Sequence, residues 1–237
     1  MRYLVVIASI RQSLPGFEET MAQIRSTFVE PAELVVIDGQ AGKAAALNRA
    51  AREILPGSDA PIYVTMDDDV LLGADWQAKV SAAMEALPQV GAIGLWPGDE
   101  HGELVGAHRY GPWREAGSTR YRLAERGHHL NGAFIAYRRE VALKLWPQPE
   151  TAERYQVWED AWRGRRVQAL GWELAMIECD PPRFIHYPDP QEYLDRKARE
   201  LETTHQSAES MLATSGIADP LLLRIRRRLA RIKQRFR

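Results

Sequence analysis

Apolar residues follow two rhythms along the first hundred positions. Tyr3–Ser9 is an unbroken, β-branched run, which predicts a strand buried on both faces, whereas Phe17, Met21, Ile24 and Phe28 recur at helical spacing. Leu34–Ile37 repeats the strand signal. Ala-rich Lys43–Ile54, with Leu47, Ala51 and Ile54 on one stripe, predicts a second helix. Ile62–Met66 follows as a third strand, Trp76, Val80, Ala83 and Leu87 mark a third helix, and Val90–Leu95 a fourth strand. Continuous apolar strands separated by single helices imply an α/β fold whose mostly parallel sheet is covered on both faces, and such sheets bind ligands beyond the carboxyl ends of their strands.

From His101 to His129 the pattern dissolves into Gly, Arg, Tyr and Trp, which predicts long loops or a mixed sheet bordering a site. Asn131–Tyr137 then reads as a strand, Glu159–Leu170 as a helix, Leu174–Glu178 as a strand, and Gln191–Leu212 as a polar helix ending near Gly216. No internal repeat or low-complexity segment interrupts the chain. After Asp219-Pro220, the residues Leu222, Ile225, Leu229, Ile232 and Phe236 fall on one helical stripe.

Composition narrows the class. With 237 residues, 45% hydrophobic and 27% charged, the chain has the make-up of an ordinary globular protein. A single cysteine, Cys179, excludes an internal disulfide and a Cys-rich zinc site, and favours a reducing, cytoplasmic setting. The apolar N-terminal stretch is cut off by Arg11 and Pro15, too early to span a bilayer. The net charge of −1 hides an asymmetry: 221–237 hold seven Arg and one Lys, leaving −9 for the rest. Such a tail has its own partner or packs on the body. Its apolar stripe beside many Arg favours peripheral contact with the inner face of a membrane, and nucleic acid is the less favoured partner.

Two acidic clusters can carry chemistry. Asp67, Asp68 and Asp69 directly follow a buried strand, and neighbouring carboxylates at ~5 Å repel by roughly 3 kcal/mol at an effective dielectric near 20. A positive partner is therefore expected. Mg²⁺ or Mn²⁺ prefers carboxylate oxygens and keeps positions open for phosphate oxygens. The other reading of the triplet is a solvated acidic turn capping the next helix. Glu159-Asp160 opens a helix, where acids satisfy free amides and the helix dipole. A carboxylate shielded there by Trp158 or Trp162 could equally serve as general base for a hydroxyl nucleophile. Asp160 is the candidate base, with Glu159 holding the acceptor or stabilising the local structure.

The stretch Tyr63-Val64-Thr65-Met66-Asp67-Asp68-Asp69, followed by Asp75-Trp76, resembles the strand, DxD motif and following helix of family 2 glycosyltransferases of the GT-A fold. Gly42-Lys43 with Ala46-Leu47-Asn48 and Ala50, Asn131-Gly132-Ala133-Phe134 with Arg138-Arg139, and Glu159-Asp160 with Arg166 and Gly171 are similar to three further segments of that family, in the same order. The resemblance covers about Arg2 to Tyr187. It implies a GT-A-like, Rossmann-type mostly parallel sheet flanked by helices, with a C-terminal helical extension. It also implies inverting transfer of a sugar from a nucleotide-diphosphate donor to a hydroxyl acceptor, a saccharide, a lipid-linked saccharide or, less favoured, a modified DNA base.

By the same resemblance Asp69 binds the metal, and Asp67 contacts the metal through water or the ribose. Asp68 belongs to the diphosphate site, Asp38 contacts the nucleotide, and Lys43 and Asn48 line its pocket. His186, in Phe184-Ile185-His186-Tyr187, stands where some GT-A enzymes complete the metal site. The chain departs from the family at Ala8-Ser9-Ile10-Arg11, and Trp162 replaces an acid often found two positions after the base. The expected organisation is one domain over 1–215, with a nucleotide-binding half to about 100, an acceptor half to about 190 and a helix to 213, followed by the tail 216–237. Two rival functions remain. One is a sugar-nucleotide nucleotidyltransferase, whose Gly-rich phosphate loop Ser9–Gly16 does not provide; the other is a non-catalytic nucleotide-sugar or membrane-binding module.

Overall fold

The computed structural model describes residues 1–96, 110–148 and 159–185. The predicted helix 191–213, the basic tail, Trp158 and His186 lie outside the described residues.

Strand β1 (Tyr3–Ser9) is flanked by β2 (Ala32–Asp38) and β3 (Ile62–Met66), both parallel to it, with Ser9 opposite Asp38 and Ile7 opposite Met66. Ser9, Asp38 and the Asp triplet after Met66 therefore share one sheet edge. The strand alternation sorts β1 between two cores: Tyr3, Val5 and Ile7 pack with α1 (Phe17–Ser26) and α3 (Trp76–Ala86), while Leu4 and Val6 pack with α2 (Lys43–Glu53). Burial on both faces explains why the sequence shows an unbroken apolar run.

Beyond β3 the sheet changes character. With β5 (Val90–Leu95), β6 (Arg114–Ala116), β7 (Thr119–Leu123), β8 (Phe134–Arg138) and β9 (Glu173–Ile177), the order among the described residues is β2-β1-β3-β8-β5-β9-β7-β6. β5 pairs parallel with β9, but β8 enters antiparallel between β3 and β5, and β7 runs antiparallel to β9 and β6. The α/β expectation holds, and the parallel character belongs chiefly to the first half. The unpatterned region contains the β6–β7 hairpin, in line with a mixed sheet there. The expected strand at Asn131 begins only at Phe134, because the Asn131 carboxamide accepts from Ala133 N at 2.9 Å and makes a turn first.

Besides the β6–β7 hairpin, three elements among the described residues had no clear sequence signal. Helix α4 (Arg139–Leu145) follows β8 directly and is too short to show a period. Strands β4 (Val70–Leu71) and β10 (Arg183–Phe184) are two residues each and, among the described residues, pair with one another alone. That small ladder pins the chain leaving the triplet. Trp76, fully buried against the edges of Tyr3, Phe28 and Phe134, anchors the following helix. Helix α5 (Glu159–Ala169) lies on the α2 side, where Val167 joins that core. Among the described residues no helix is long and apolar enough to cross a membrane.

Candidate active site

The triplet leaves β3 with its backbone held from two sides. Asp67 N donates to Ala133 O at 2.9 Å, and Ile185 N donates to Asp69 O at 2.7 Å. The three side chains then meet different fates. Asp68 turns inward, its carboxylate 7% exposed, accepting from Arg11 Nη1 at 2.5 Å and from the Ser9 hydroxyl. Burial pushes its proton affinity above the ordinary value although Arg11 and Ser9 oppose this. Asp67 accepts from Lys43 Nζ at 2.5 Å. Asp69, 32% exposed, has Arg11 at 3.4 Å and keeps the most open face of the pair that shares this guanidinium.

The positive partner required by three adjacent acids is thus partly supplied by the chain itself, through Arg11 and Lys43. Arg11 was not among the expected site residues. Its only sequence signal was the departure at Ala8-Ser9-Ile10-Arg11, where β1 ends beside the triplet.

Lys43 joins the two acidic clusters. Gly42, at φ 103°, turns the chain into α2 so that Lys43 at its first position reaches Asp67, Gly132 O at 3.3 Å and Glu159 Oε1 at 3.3 Å. Burial alone would lower its proton affinity, but Asp67 and Glu159 outweigh it and keep the ammonium charged. Glu159 also accepts from Arg163 Nη2 at 3.3 Å, one helical turn away. Burial favours its neutral form, yet Lys43 and Arg163 hold it below the usual carboxylate range.

Asp160 is in the opposite state. Burial first, and then the charge of Glu159, push it up to about 6, against the pull of Arg163 and Lys43. Its Oδ1 accepts from Ala161 N at 2.7 Å. Oδ2 has no hydrogen bond among the described residues. His129 Nε2 stands 3.6 Å from Oδ1, and burial, Arg165 and His128 bring this imidazole down to about 4, so it is neutral at pH 7. Gly132 lies close against both acids: a Cβ there would stand 3.2 Å from Asp160 Cβ and 3.3 Å from Glu159 Oε1.

The remaining expected residues divide. Asp38 is exposed at the same sheet edge, where its carboxylate accepts from Gln40 N at 2.9 Å. Asn48 is 1% exposed and its amide bonds both Gln148 N and Gln148 O at 2.8 Å, so it fastens α2 to the segment after α4. Besides Arg11, the site includes Arg163, fully buried, and His129, neither of them expected there.

The donor set suits a divalent cation shared with a ligand. Among the described residues no three Asp, Glu, His or Cys side chains form a ready cage. A Mg²⁺-type ion needs only one or two carboxylates beside water and phosphate oxygens, and Asp69, with Asp67 two positions away, offers that chemistry.

No family model and no curated sequence matches the chain, but solved structures do. The mannosyltransferase PcManGT from Pyrobaculum calidifontis, in complex with GDP-Man and Mn²⁺, superposes with a TM-score of 0.56 at 17% identity over 88% of this chain. This chain spans 64% of that protein's length. Glucosyl-3-phosphoglycerate synthase from Mycobacterium tuberculosis, in complex with Mn²⁺, UDP and phosphoglyceric acid, gives 0.53 at 17% identity, covering 93% of this chain and 80% of that one. A CMP:2-keto-3-deoxy-manno-octonic acid synthetase complexed with CTP gives 0.51 at 14% identity, covering 85% and 99%. At such identities the likeness speaks for architecture, and the architecture agrees with the motif resemblance: the chain has the GT-A fold of these glycosyltransferases.

Proposed function

We propose that the chain is a metal-dependent, inverting glycosyltransferase that moves a sugar from a nucleoside-diphosphate donor to a hydroxyl of a saccharide or lipid-linked acceptor. The observation that carries this is the bridge made by Lys43, whose one ammonium touches Asp67 at 2.5 Å and Glu159 at 3.3 Å. It joins a strand end suited to a diphosphate and its cation to a helix start that holds a carboxylate with raised proton affinity.

In this reading Asp69 would hold the cation, with Asp67 acting on it through water or on the ribose and His186 as a further ligand, and Asp38 would contact the nucleotide. A Mn²⁺ or Mg²⁺ bound there supplies positive charge for the departing nucleoside diphosphate. Asp160 Oδ2 takes the proton from the acceptor hydroxyl as its oxygen attacks the anomeric carbon, and burial of Asp160 matches its affinity to that task near neutral pH. Neutral His129 lies beside Oδ1 without competing for the proton. Glu159 keeps the Lys43 ammonium in place. Arg11 offsets Asp68, which leaves Asp69, with Asp67, to meet the charge of one divalent ion.

The synthetase likeness supports a second reading, nucleotidyl transfer from a nucleoside triphosphate. Against it, the segment after β1 is not Gly-rich, and its Arg11 is occupied by Asp68.

The test is a thermal-shift screen of nucleotide sugars and nucleoside triphosphates with and without Mn²⁺, followed by transfer assays. A donor at 100 times its dissociation constant should stabilise the fold by about 2.7 kcal/mol, and only with the cation. No shift with any nucleotide sugar or nucleoside diphosphate would count against both the donor and the site.

A further inference from the structure

Arg163 is 0% exposed, a rare place for a guanidinium. Its Nη1 donates to Thr65 Oγ1 at 3.0 Å, its Nη2 to Glu159 Oε1 at 3.3 Å and its Nε to the Glu159 carbonyl at 3.3 Å. Thr65 lies in β3, two residues before Asp67; Glu159 begins α5. The same Glu159 oxygen lies 3.3 Å from Lys43, so Asp67, Lys43, Glu159, Arg163 and Thr65 form one chain of contacts from the strand to the helix and back.

Stability is a weak reason to keep such a group. Taking an ion pair out of water costs several kcal/mol per ion, and apolar replacements of similar volume are often neutral or better. Position is the stronger reason. The grip falls on the first turn of α5, where the next residue is Asp160, and Gly132 lies so near that turn that an added Cβ would stand 3.2 Å from Asp160 Cβ.

We propose that Arg163 is a positioning residue for the base: gripping Glu159 and Thr65, it fixes the first turn of α5 against the end of β3 and holds the Asp160 carboxylate at a set place relative to the donor. The proposal rests on Asp160 being the base. Asp160 is faced by Glu159 and Arg163 from α5, by Lys43 from α2, by His129 from the segment before β8, and by Tyr110, whose hydroxyl donates to His129 O at 3.2 Å. Without the Arg163 cation, Glu159 and burial act on Asp160 with less opposition, and its proton is held more tightly.

The decisive comparison is wild type, Arg163→Met and Arg163→Lys. Met is expected to leave the donor KM within about twofold and to lower kcat ten- to a hundredfold, on the order expected for a displacement near 1 Å. The acid limb of its pH–rate profile is expected to move upward, and Lys to restore the limb and part of kcat. A Met variant with wild-type kcat and limb overturns the proposal. So does a loss of kcat with an unmoved limb and no rescue by Lys, which would mark a structural residue only. Should Met fail to fold, Thr65→Val removes one bond and is expected to move rate and limb in the same direction; unchanged values overturn it. If no donor is turned over, it is the transferase reading that fails. A carboxyl ¹³C NMR titration of Asp160 in wild type and Arg163→Lys or Arg163→Met then decides this proposal alone: a higher midpoint in Met but not Lys supports it, and equal midpoints overturn it.

Discussion

The two acidic clusters are built on one plan with opposite surroundings. At the end of β3 and at the start of α5, one acid is buried and tied to an arginine, Asp68 to Arg11 and Glu159 to Arg163, while its neighbour, Asp69 or Asp160, is the more exposed of the two. The strand end is open, and Asp69 is 32% exposed; the helix start is closed, and Asp160 is 19% exposed. Exposure suits an acid that must stay charged to meet a cation and a diphosphate. Enclosure suits an acid that must accept a proton near neutral pH. Residue type alone does not separate these tasks, whereas the number of cations within reach and the access of water do.

The comparison breaks most visibly at Asp160. Asp160→Asn is expected to lower kcat about 10²–10⁴-fold, the usual contribution of a general base, in a steady-state transfer assay. The same variant should be more stable near pH 7.5. The folded pKa of about 6 lies above the ordinary 3.8, so the stability linked to the protonated carboxyl is present at low pH and lost as pH rises through about 6. Asn removes that loss and can still cap Ala161 N. Urea unfolding should show a gain of about 1–3 kcal/mol at pH 7.5 that shrinks as pH falls below about 6.

At the open cluster, Arg11→Met leaves the Asp68 carboxylate buried without its partner and is expected to cost about 3–5 kcal/mol at pH 7.5. The cost should shrink as pH falls, because burial raises the proton affinity of Asp68; equal losses at pH 7.5 and pH 5 would mean that Arg11 acts through packing. Next in size, Asp69→Asn is expected to abolish the Mn²⁺-dependent part of donor stabilisation, about 2.7 kcal/mol at 100 times the dissociation constant, with little change in the ligand-free protein. If Asp68→Asn abolished it and Asp69→Asn did not, the roles within the triplet would be exchanged. The smallest effect is at Gly132, where an added Cβ forces Asp160 and Glu159 to give by a few tenths of an ångström. Gly132→Ala should cost about 1 kcal/mol in thermal unfolding, with a larger proportional loss in kcat than in donor binding.

The first half of the fold was legible because each of its signals is local. Strands β1, β3 and β5 start and end where their apolar runs do, since full burial on both faces keeps them almost wholly apolar. The antiparallel entry of β8, the α4 turn and the β4–β10 ladder were not legible. They depend on which distant strand has a free edge, or they are too short to carry a period. The same division runs through the site: the Asp triplet and Glu159-Asp160 stand out because adjacent acids are conspicuous in any sequence. Arg11 and Arg163 do not, because an arginine at a strand end or on a helix is ordinarily read as solvent-exposed.

The sequence by itself determined the α/β alternation, the carboxylates at the end of β3, the lysine after Gly42 and the acid pair that opens α5, since each is a pattern within a few consecutive residues. Only the tertiary structure decided how those acids differ. Their surroundings come from far along the chain, Arg11 for Asp68, Lys43 for Asp67 and Glu159, Gly132 and His129 for Asp160, and the distances between them exist only after folding.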